Sequence, residues 1–266
     1  MSITLNIERQ AFNFDILIKS TFVPNQIQIL YENTNLKYSK DAEDYITLVW
    51  KEISSSRPDL YDGRLYHVDS YNQQNNDQLC MNLINTSYKY FVGTRAGEFI
   101  SKFGTAMISN PLSVGIALFT SDHKTVIGRR KKNRHIRPGM LGLISGAMEQ
   151  MDNSNGIPDP FLTAQRELRE EIGVYREDIT DIVCVGLIFD KELYQTFMPF
   201  RVRTKLDSHS LRKREPEEHE FDKFFFLDLG NSKTVDKFLQ ENICNLSQTA
   251  IASMLLCDLV KHIVVP

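Results

Sequence analysis

Three glutamates, Glu167, Glu170 and Glu171, stand at i, i+3 and i+4 of the stretch LTAQRELREEIGV, residues 162–174. At helical spacing they share one face. Like charges placed so cost a helix roughly 0.2–0.5 kcal/mol per pair, and something outside the helix must offset that repulsion. A hard divalent cation does so, because it takes oxygen ligands from a rigid element and keeps open positions for water and phosphate oxygens. The plainer alternative is a solvated charged helix with Arg166 and Glu170 as an i, i+4 pair.

The element carrying these residues is bounded at both ends. Asp159 suits an N-cap, Pro160 the first helical position, and Gly173 the left-handed residue that closes a helix. The spacing predicts a helix over 160–172, about 20 Å long at 1.5 Å per residue. Leu162, Gln165, Leu168 and Ile172 mark its buried side, with the glutamates clustered beside it.

The stretch Arg166-Glu-Leu-Arg-Glu-Glu-Ile-Gly-Val174 fits R-E-U-x-E-E-x-G-U, with U aliphatic, at every specified position. Upstream, LISGAMEQ sets Ser145 and Gly146 ahead of Glu149. Together the two segments resemble the box G-x5-E-x7-R-E-U-x-E-E-x-G-U of the Nudix hydrolase superfamily. The chain departs from that box in two ways. Gly146 lies 20 residues before Arg166, which places an insertion within MDNSNGIPDP, and Pro158 stands eight residues before Arg166, where the box has a glutamate. Asp152, Asp159 and Glu149 are the candidates to stand in for it, and Glu149 is expected on the substrate side of the site.

The resemblance implies an α/β (α+β) fold, a mixed sheet sandwiched between helices, that cleaves a nucleoside diphosphate linked to a further group. It implies Glu167, Glu170 and Glu171 as ligands of Mg²⁺, with Mn²⁺ as the alternative, and the backbone around Gly146 as a further ligand. Arg166 orients a carboxylate by a bidentate pair. The general base is a carboxylate of the box or of a later loop; in the acidic run EPEEHE, Glu220 is the first late candidate and Glu218 the second, each weighed against a solvated turn. Further segments, NTSYKYFVGTR, NPLSVGIALFTSD, VIGRRKKNRHIRPG and EPEEHEFDKFFFLDL, resemble the eukaryotic uridine diphosphate glucose pyrophosphatase branch. That likeness implies a nucleoside diphosphate sugar as substrate, UDP-glucose giving UMP and glucose 1-phosphate. A Nudix hydrolase of another derivative (ADP-ribose, a dinucleoside polyphosphate, capped RNA) and a catalytically weak nucleotide-binding Nudix domain remain as alternatives.

Outside the box, the basic run RRKKNRHIR over residues 129–137 offers guanidinium groups to phosphate oxygens. Arg130 is the first choice, Arg134 the second, and the other basic residues are read as solvated. Two tyrosines at loop or helix-end positions, Tyr61 in PDLYDGRLY and Tyr88 in NTSYKYF, are candidates to stack on a base. His135 and His219 flank the expected site, whereas His67, His123, His209 and His262 have no ligand spacing.

The elements that must hold these groups fall into two blocks. Residues 1–105 form a smaller N-terminal α+β part that offers the base contact, and 106–266 form the Nudix part. In the first, ITLNI, FDILI and QIQILY read as strands; a helix capped by Ser39 or Asp41 buries Ile46, Val49, Trp50 and Ile53; and Arg64 to Tyr71 with Leu79 to Ile84 read as a hairpin across NQQNND. In the second, SVGIALFTSD, HKTVIGRR, MLGLISGAME, DIVCVGLIFD, TFMPFRVRTKL and KFFFLDL read as strands, and the tail from Lys233 to Val264 as two amphipathic helices. The chain has 266 residues, 42% hydrophobic and 24% charged, with formal net charge -3. It is long enough for a sizeable core and carries no global attraction to nucleic acid or anionic membrane. Nucleic acid is therefore not an expected partner. Four scattered cysteines are expected as reduced thiols, and no window is apolar enough to cross a membrane. A cytoplasmic, or also nuclear, location is the expectation; nothing in the sequence assigns an oligomeric state.

Overall fold

A computed structural model describes residues 4–6, 12–74, 78–260 and 262–264 of the chain. The first block supplies β1 (Thr4–Asn6), β2 (Phe14–Phe22), β3 (Ile27–Asn35), α1 (Lys40–Ser56), β4 (Arg64–Gln74), β5 (Gln78–Ser87), α2 (Tyr88–Gly93) and α3 (Phe99–Phe103). Ser39 is the cap of α1, its Oγ accepting from the Ala42 N–H at 3.3 Å. Of the stripe expected on α1, Ile46 is buried and Val49, Trp50 and Ile53 are half-buried. The hairpin of β4 and β5 forms as expected, although residues 75–77 of its turn lie outside the described residues.

The second block supplies β6 (Ser113–Phe119), β7 (Lys124–Arg130), β8 (Leu141–Gly142), β9 (Ile144–Ala147), β10 (Asn153–Ser154), β11 (Ile157–Pro158), α4 (Pro160–Ile172), β12 (Ile179–Asp190), β13 (Gln195–Thr204), α5 (Ser208–Leu211), β14 (Phe221–Asp228), α6 (Ser232–Asn242), α7 (Gln248–Leu256) and β15 (His262–Val264). An eight-stranded mixed sheet runs β14-β7-β6-β13-β12-β2, with β8 on β7 and β9 on β6. Its parallel pair is β6 with β13. Strand β2 pairs antiparallel with β12, so residues from before position 105 extend the large sheet, while β3, β5 and β4 form a separate three-stranded sheet.

Two apolar layers sandwich the large sheet. On one face Val114, Ile116 and Leu118 of β6 pack with Phe161, Ala164, Leu168 and Ile172 of α4 and with Leu79, Met81 and Leu83 of β5. On the other face Ala117 and Phe119 pack with Val235 and Leu239 of α6 and Ile251 and Met254 of α7. Every residue of β6 is buried, which is why SVGIALF reads as an unbroken apolar run: a strand covered on both faces needs no polar side. Two expectations change. The stretch MLGLISGAME is two short strands, because β6 and β7 diverge and β9 and β8 each pair with one of them. Helix α7 is buried almost all round and has no polar side, since it is packed over the middle of the sheet.

Candidate active site

The glutamate helix forms within its expected bounds. Asp159 Oδ1 accepts from the Phe161 N–H at 2.9 Å. Gly173 takes φ 68, and the Val174 N–H reaches back to the Leu168 carbonyl at 3.0 Å, closing α4 as a left-handed glycine does. The buried side is Phe161, Ala164, Leu168 and Ile172; Leu162 and Gln165 are only half-buried. Glu167 and Glu171 are themselves buried, 7% and 2% exposed, and Glu170 is half-buried.

Arg166 is the hub. Its Nε and Nη2 donate to the two oxygens of Asp152, both at 2.9 Å, and Nη2 also reaches the Ala147 carbonyl at 2.9 Å. Its Nη1 lies 2.7 Å from Glu167 Oε1 and 2.8 Å from Glu170 Oε2. Of the three stand-ins weighed for the box glutamate, Asp152 is therefore the partner of Arg166, Asp159 caps α4, and Glu149 lines the cleft. The insertion is the hairpin of β10 and β11, turned by Asn155 (φ 54) and Gly156 (φ 80), the asparagine-glycine chemistry of a tight hairpin.

Glu171 Oε2 accepts from the Ser145 N–H at 3.0 Å. Gly146 lies so close to Glu167 that a Cβ there would sit 1.9 Å from Oε1. Burial pushes both buried carboxyls up; the nearness of Glu167 adds to the rise at Glu171, and Arg166 opposes the rise at Glu167. Among the described residues no three His, Cys, Asp or Glu side chains converge as a ready-made metal cage, because the Arg166 guanidinium lies between Glu167 and Glu170. The donor chemistry nevertheless fits a hard divalent cation. Buried carboxylate oxygens compete with one another for charge, and a backbone is held against them where no side chain fits.

A cleft of about 580 Å³ opens over this face. Glu149, Gly146, Arg166, Glu167 and Glu170 line it together with Arg130, Arg134, Glu218 and Glu220. Arg130, the last residue of β7, pairs through Nη2 with Glu220 Oε2 at 2.8 Å, and its buried Nε has no partner. Arg134 pairs with the other oxygen of Glu220. Glu220 thus sits in the cleft with both oxygens engaged by arginines, the arrangement of a residue that positions cations. Glu149 differs, for burial pushes its carboxyl up. The loop bearing Glu218 docks on α4 through the Glu218 N–H to the Glu170 carbonyl at 2.7 Å and Arg169 to Glu217 at 3.1 Å.

The N-terminal part reaches the same cleft. Tyr61 is 69% exposed at its rim, as its loop position predicts. Tyr88 is half-buried instead of free: its ring meets Trp50, Phe91 and His135 edgewise or tilted, with centroids 5.8–6.3 Å away, and its hydroxyl hydrogen-bonds His135 Nδ1 at 2.9 Å. Ser113 and Gln195, buried at the starts of β6 and β13, also line the cleft. Sequence reading gives neither, because nothing local distinguishes them from other strand ends.

The chain aligns with the human uridine diphosphate glucose pyrophosphatase over 243 residues at 23% identity, 79% of this chain and 80% of that one. The mouse protein of the same name aligns at 24% identity, over 69% of this chain and 70% of its own. These relatives are members of the Nudix hydrolase superfamily, which the chain resembles. Nudix hydrolase 9 of Arabidopsis thaliana is 25% identical over 51% of this chain, and the match spans half the length of that relative. No family model matches. Among solved structures, a Nudix hydrolase from Alicyclobacillus acidocaldarius shares 14% identity over 56% of this chain and 91% of its own, with a TM-score of 0.42. The insertion and Pro158 depart from the box pattern, and Asp152 at the edge of that insertion is what keeps Arg166 paired.

Proposed function

We propose that the chain hydrolyses the pyrophosphate bond of a nucleoside diphosphate sugar, with Mg²⁺ or Mn²⁺, and that UDP-glucose giving UMP and glucose 1-phosphate is its reaction. The observation that carries this reading is the cleft itself, lined both by the carboxylates of α4 and by Arg130, whose Nε is buried and unpartnered. Such a donor matches a phosphate oxygen. The likeness to the uridine diphosphate glucose pyrophosphatases supports the choice of substrate.

Glu167, Glu170 and Glu171, with the backbone at Gly146, would hold the cation, which when bound neutralises diphosphate charge and lowers the pKa of a water. Arg166 keeps the glutamates at their stations. Arg130 and Arg134, set by Glu220, bind the diphosphate oxygens. Glu149, its carboxyl raised toward neutrality by burial, is suited to accept a proton from the attacking water. The water oxygen bonds to one phosphorus as its proton passes to Glu149, the bond from that phosphorus to the bridging oxygen breaks, the bridging oxygen leaves with the other phosphate, and Glu149 then returns the proton to the released phosphate or to solvent. Residues 1–105 supply the base end through Tyr61 and Tyr88, the latter held by His135 of the second block.

The test is a screen of UDP-glucose, ADP-ribose, dinucleoside polyphosphates and capped RNA with Mg²⁺, Mn²⁺ or EDTA, reading phosphate released by a coupled phosphatase. UDP-glucose should lead, EDTA should abolish turnover, and Glu171→Gln should lose it by orders of magnitude. Turnover that persists in EDTA, or an active Glu171→Gln, overturns the metal assignment; another leading substrate overturns the choice of sugar nucleotide.

A further inference from the structure

Part of the cleft lining has a different chemistry from the carboxylates and arginines. Gln195, the first residue of β13, and Ser113, the first residue of β6, both line the cleft and lie on neighbouring parallel strands. They are 5% and 2% exposed, and Gln195 Nε2 donates to Ser113 Oγ at 2.6 Å. Phe197, Leu143 and Thr249 line the cleft as well. Thr249 Oγ1 accepts from Arg137 at 3.3 Å, and Arg137 is itself tied to the fully buried Asp190. The Arg137 charge is thus already balanced, and what Gln195 and Ser113 offer a ligand is uncharged hydrogen bonding, with the Phe197 ring in the same lining.

A side-chain amide offers two donors and an accepting oxygen, and buried polar groups ordinarily use their capacity. Among the described residues the Gln195 side chain makes a single hydrogen bond, to Ser113. Ser113 fixes the amide so that its remaining groups are not free to turn away. A phosphate would want cations here, and an alkyl group would want no amide. A polyol, with hydroxyls that both give and accept and a C–H face to lay on Phe197, suits all of these features.

We infer that Gln195, oriented by Ser113, selects the group attached to the nucleoside diphosphate by hydrogen-bonding the hydroxyls of a glycosyl unit. This rests on the sugar-nucleotide reading above and adds to it the residue that sets preference for the sugar. Arg130, Arg134 and the glutamates then act on the diphosphate alone, and Tyr61 and Tyr88 on the base.

The test compares wild type, Gln195→Met and Ser113→Ala on UDP-glucose, its monodeoxyglucose analogues and the methyl phosphoester of UDP, together with inhibition by UMP. Gln195→Met keeps the volume and removes the amide. It should lower kcat/KM for UDP-glucose about tenfold or more, since a site built to bond a hydroxyl is left with unpaired partners when the bond is lost. The methyl ester and UMP inhibition should stay within about twofold, there being no hydroxyl contact to lose. One deoxy analogue should be poor for wild type and no worse for Gln195→Met. Ser113→Ala, a smaller change, should shift the same substrates in the same direction if Gln195→Met proves unstable. An unchanged UDP-glucose rate in both variants, an equal loss on the methyl ester, or weakened UMP inhibition overturns the inference. If wild type cleaves neither UDP-glucose nor the methyl ester, the sugar-nucleotide reading falls, a result distinct from any of these.

Discussion

Replacing Arg166 by methionine removes the cation from among Asp152, Glu167 and Glu170 while keeping most of the side-chain volume. Arg166 donates twice to Asp152 at 2.9 Å, once to the Ala147 carbonyl at 2.9 Å, and lies 2.7 and 2.8 Å from Glu167 and Glu170. Its side chain is 10% exposed and that of Asp152 3%, so water screens the pair little. Breaking a buried pair by removing one partner costs about 3–5 kcal/mol, because the remaining charges stay buried and uncompensated. At roughly 2–4 °C per kcal/mol for a domain of this size, the thermal midpoint of Arg166→Met should fall by about 6–20 °C. The assay is thermal unfolding by circular dichroism in EDTA, which keeps cation binding out of the comparison, with urea unfolding as a second measure. Asp152→Asn and the double variant complete a cycle, and the double variant should be at least about 1 kcal/mol more stable than the summed single effects imply, since the two residues share one network. A loss under about 1 kcal/mol for Arg166→Met, or strict additivity in the cycle, would refute Arg166 as the organiser of this face.

Three more outcomes follow from particular contacts. Gly146→Ala puts a methyl 1.9 Å from Glu167 Oε1; the carboxylate must move, and turnover should fall by about a hundredfold or more while the thermal midpoint changes little, since a small displacement at reacting groups costs rate far more than fold. A normal rate in that variant removes the close approach of Gly146 and Glu167 from the argument. Arg130→Ala should reduce kcat/KM about ten to a hundredfold, roughly 1.4–2.7 kcal/mol, with Arg130→Lys recovering part; if only Arg134→Ala is impaired, the phosphate contact belongs to Arg134. His67 is 7% exposed, accepts from the Asn110 N–H at 2.8 Å, and is pushed down to about 4 by burial from an ordinary 6.5. Its folded value lies below its unfolded one, so the unfolded chain binds the extra proton between those values and stability falls as pH drops from 6.5 toward 4, by at most about 3 kcal/mol. His67→Asn keeps an acceptor without titrating and should flatten that part of the pH profile of urea unfolding; an unchanged slope sinks the assignment.

The glutamate helix was legible because local chemistry and long-range role agree there. Asp159, Pro160 and Gly173 bound it by capping rules that act within a few residues, and the spacing of Glu167, Glu170 and Glu171 is a property of any helix that contains them. The strands of the second block were legible for a similar reason, since burial on both faces writes itself into the sequence as an apolar run. Other features were not local. The insertion could be located from the spacing of Gly146 and Arg166, but only the folded chain shows Asp152 returning to Arg166 while Asp159 serves as a cap, a choice made by which carboxylate the hairpin of β10 and β11 brings within 2.9 Å. Tyr88 looked available at a helix start and is instead held among Trp50, Phe91 and His135, because α1 and the loop after β7 converge on it. Ser113 and Gln195 carry no signal at all in the chain, being 82 residues apart and ordinary in type. They meet because β6 and β13 run parallel and adjacent. The sequence by itself determined which groups can do chemistry and which helix holds them; the tertiary structure alone decided what faces them, since a cleft is made by elements distant in the chain that must satisfy one another's buried polar groups.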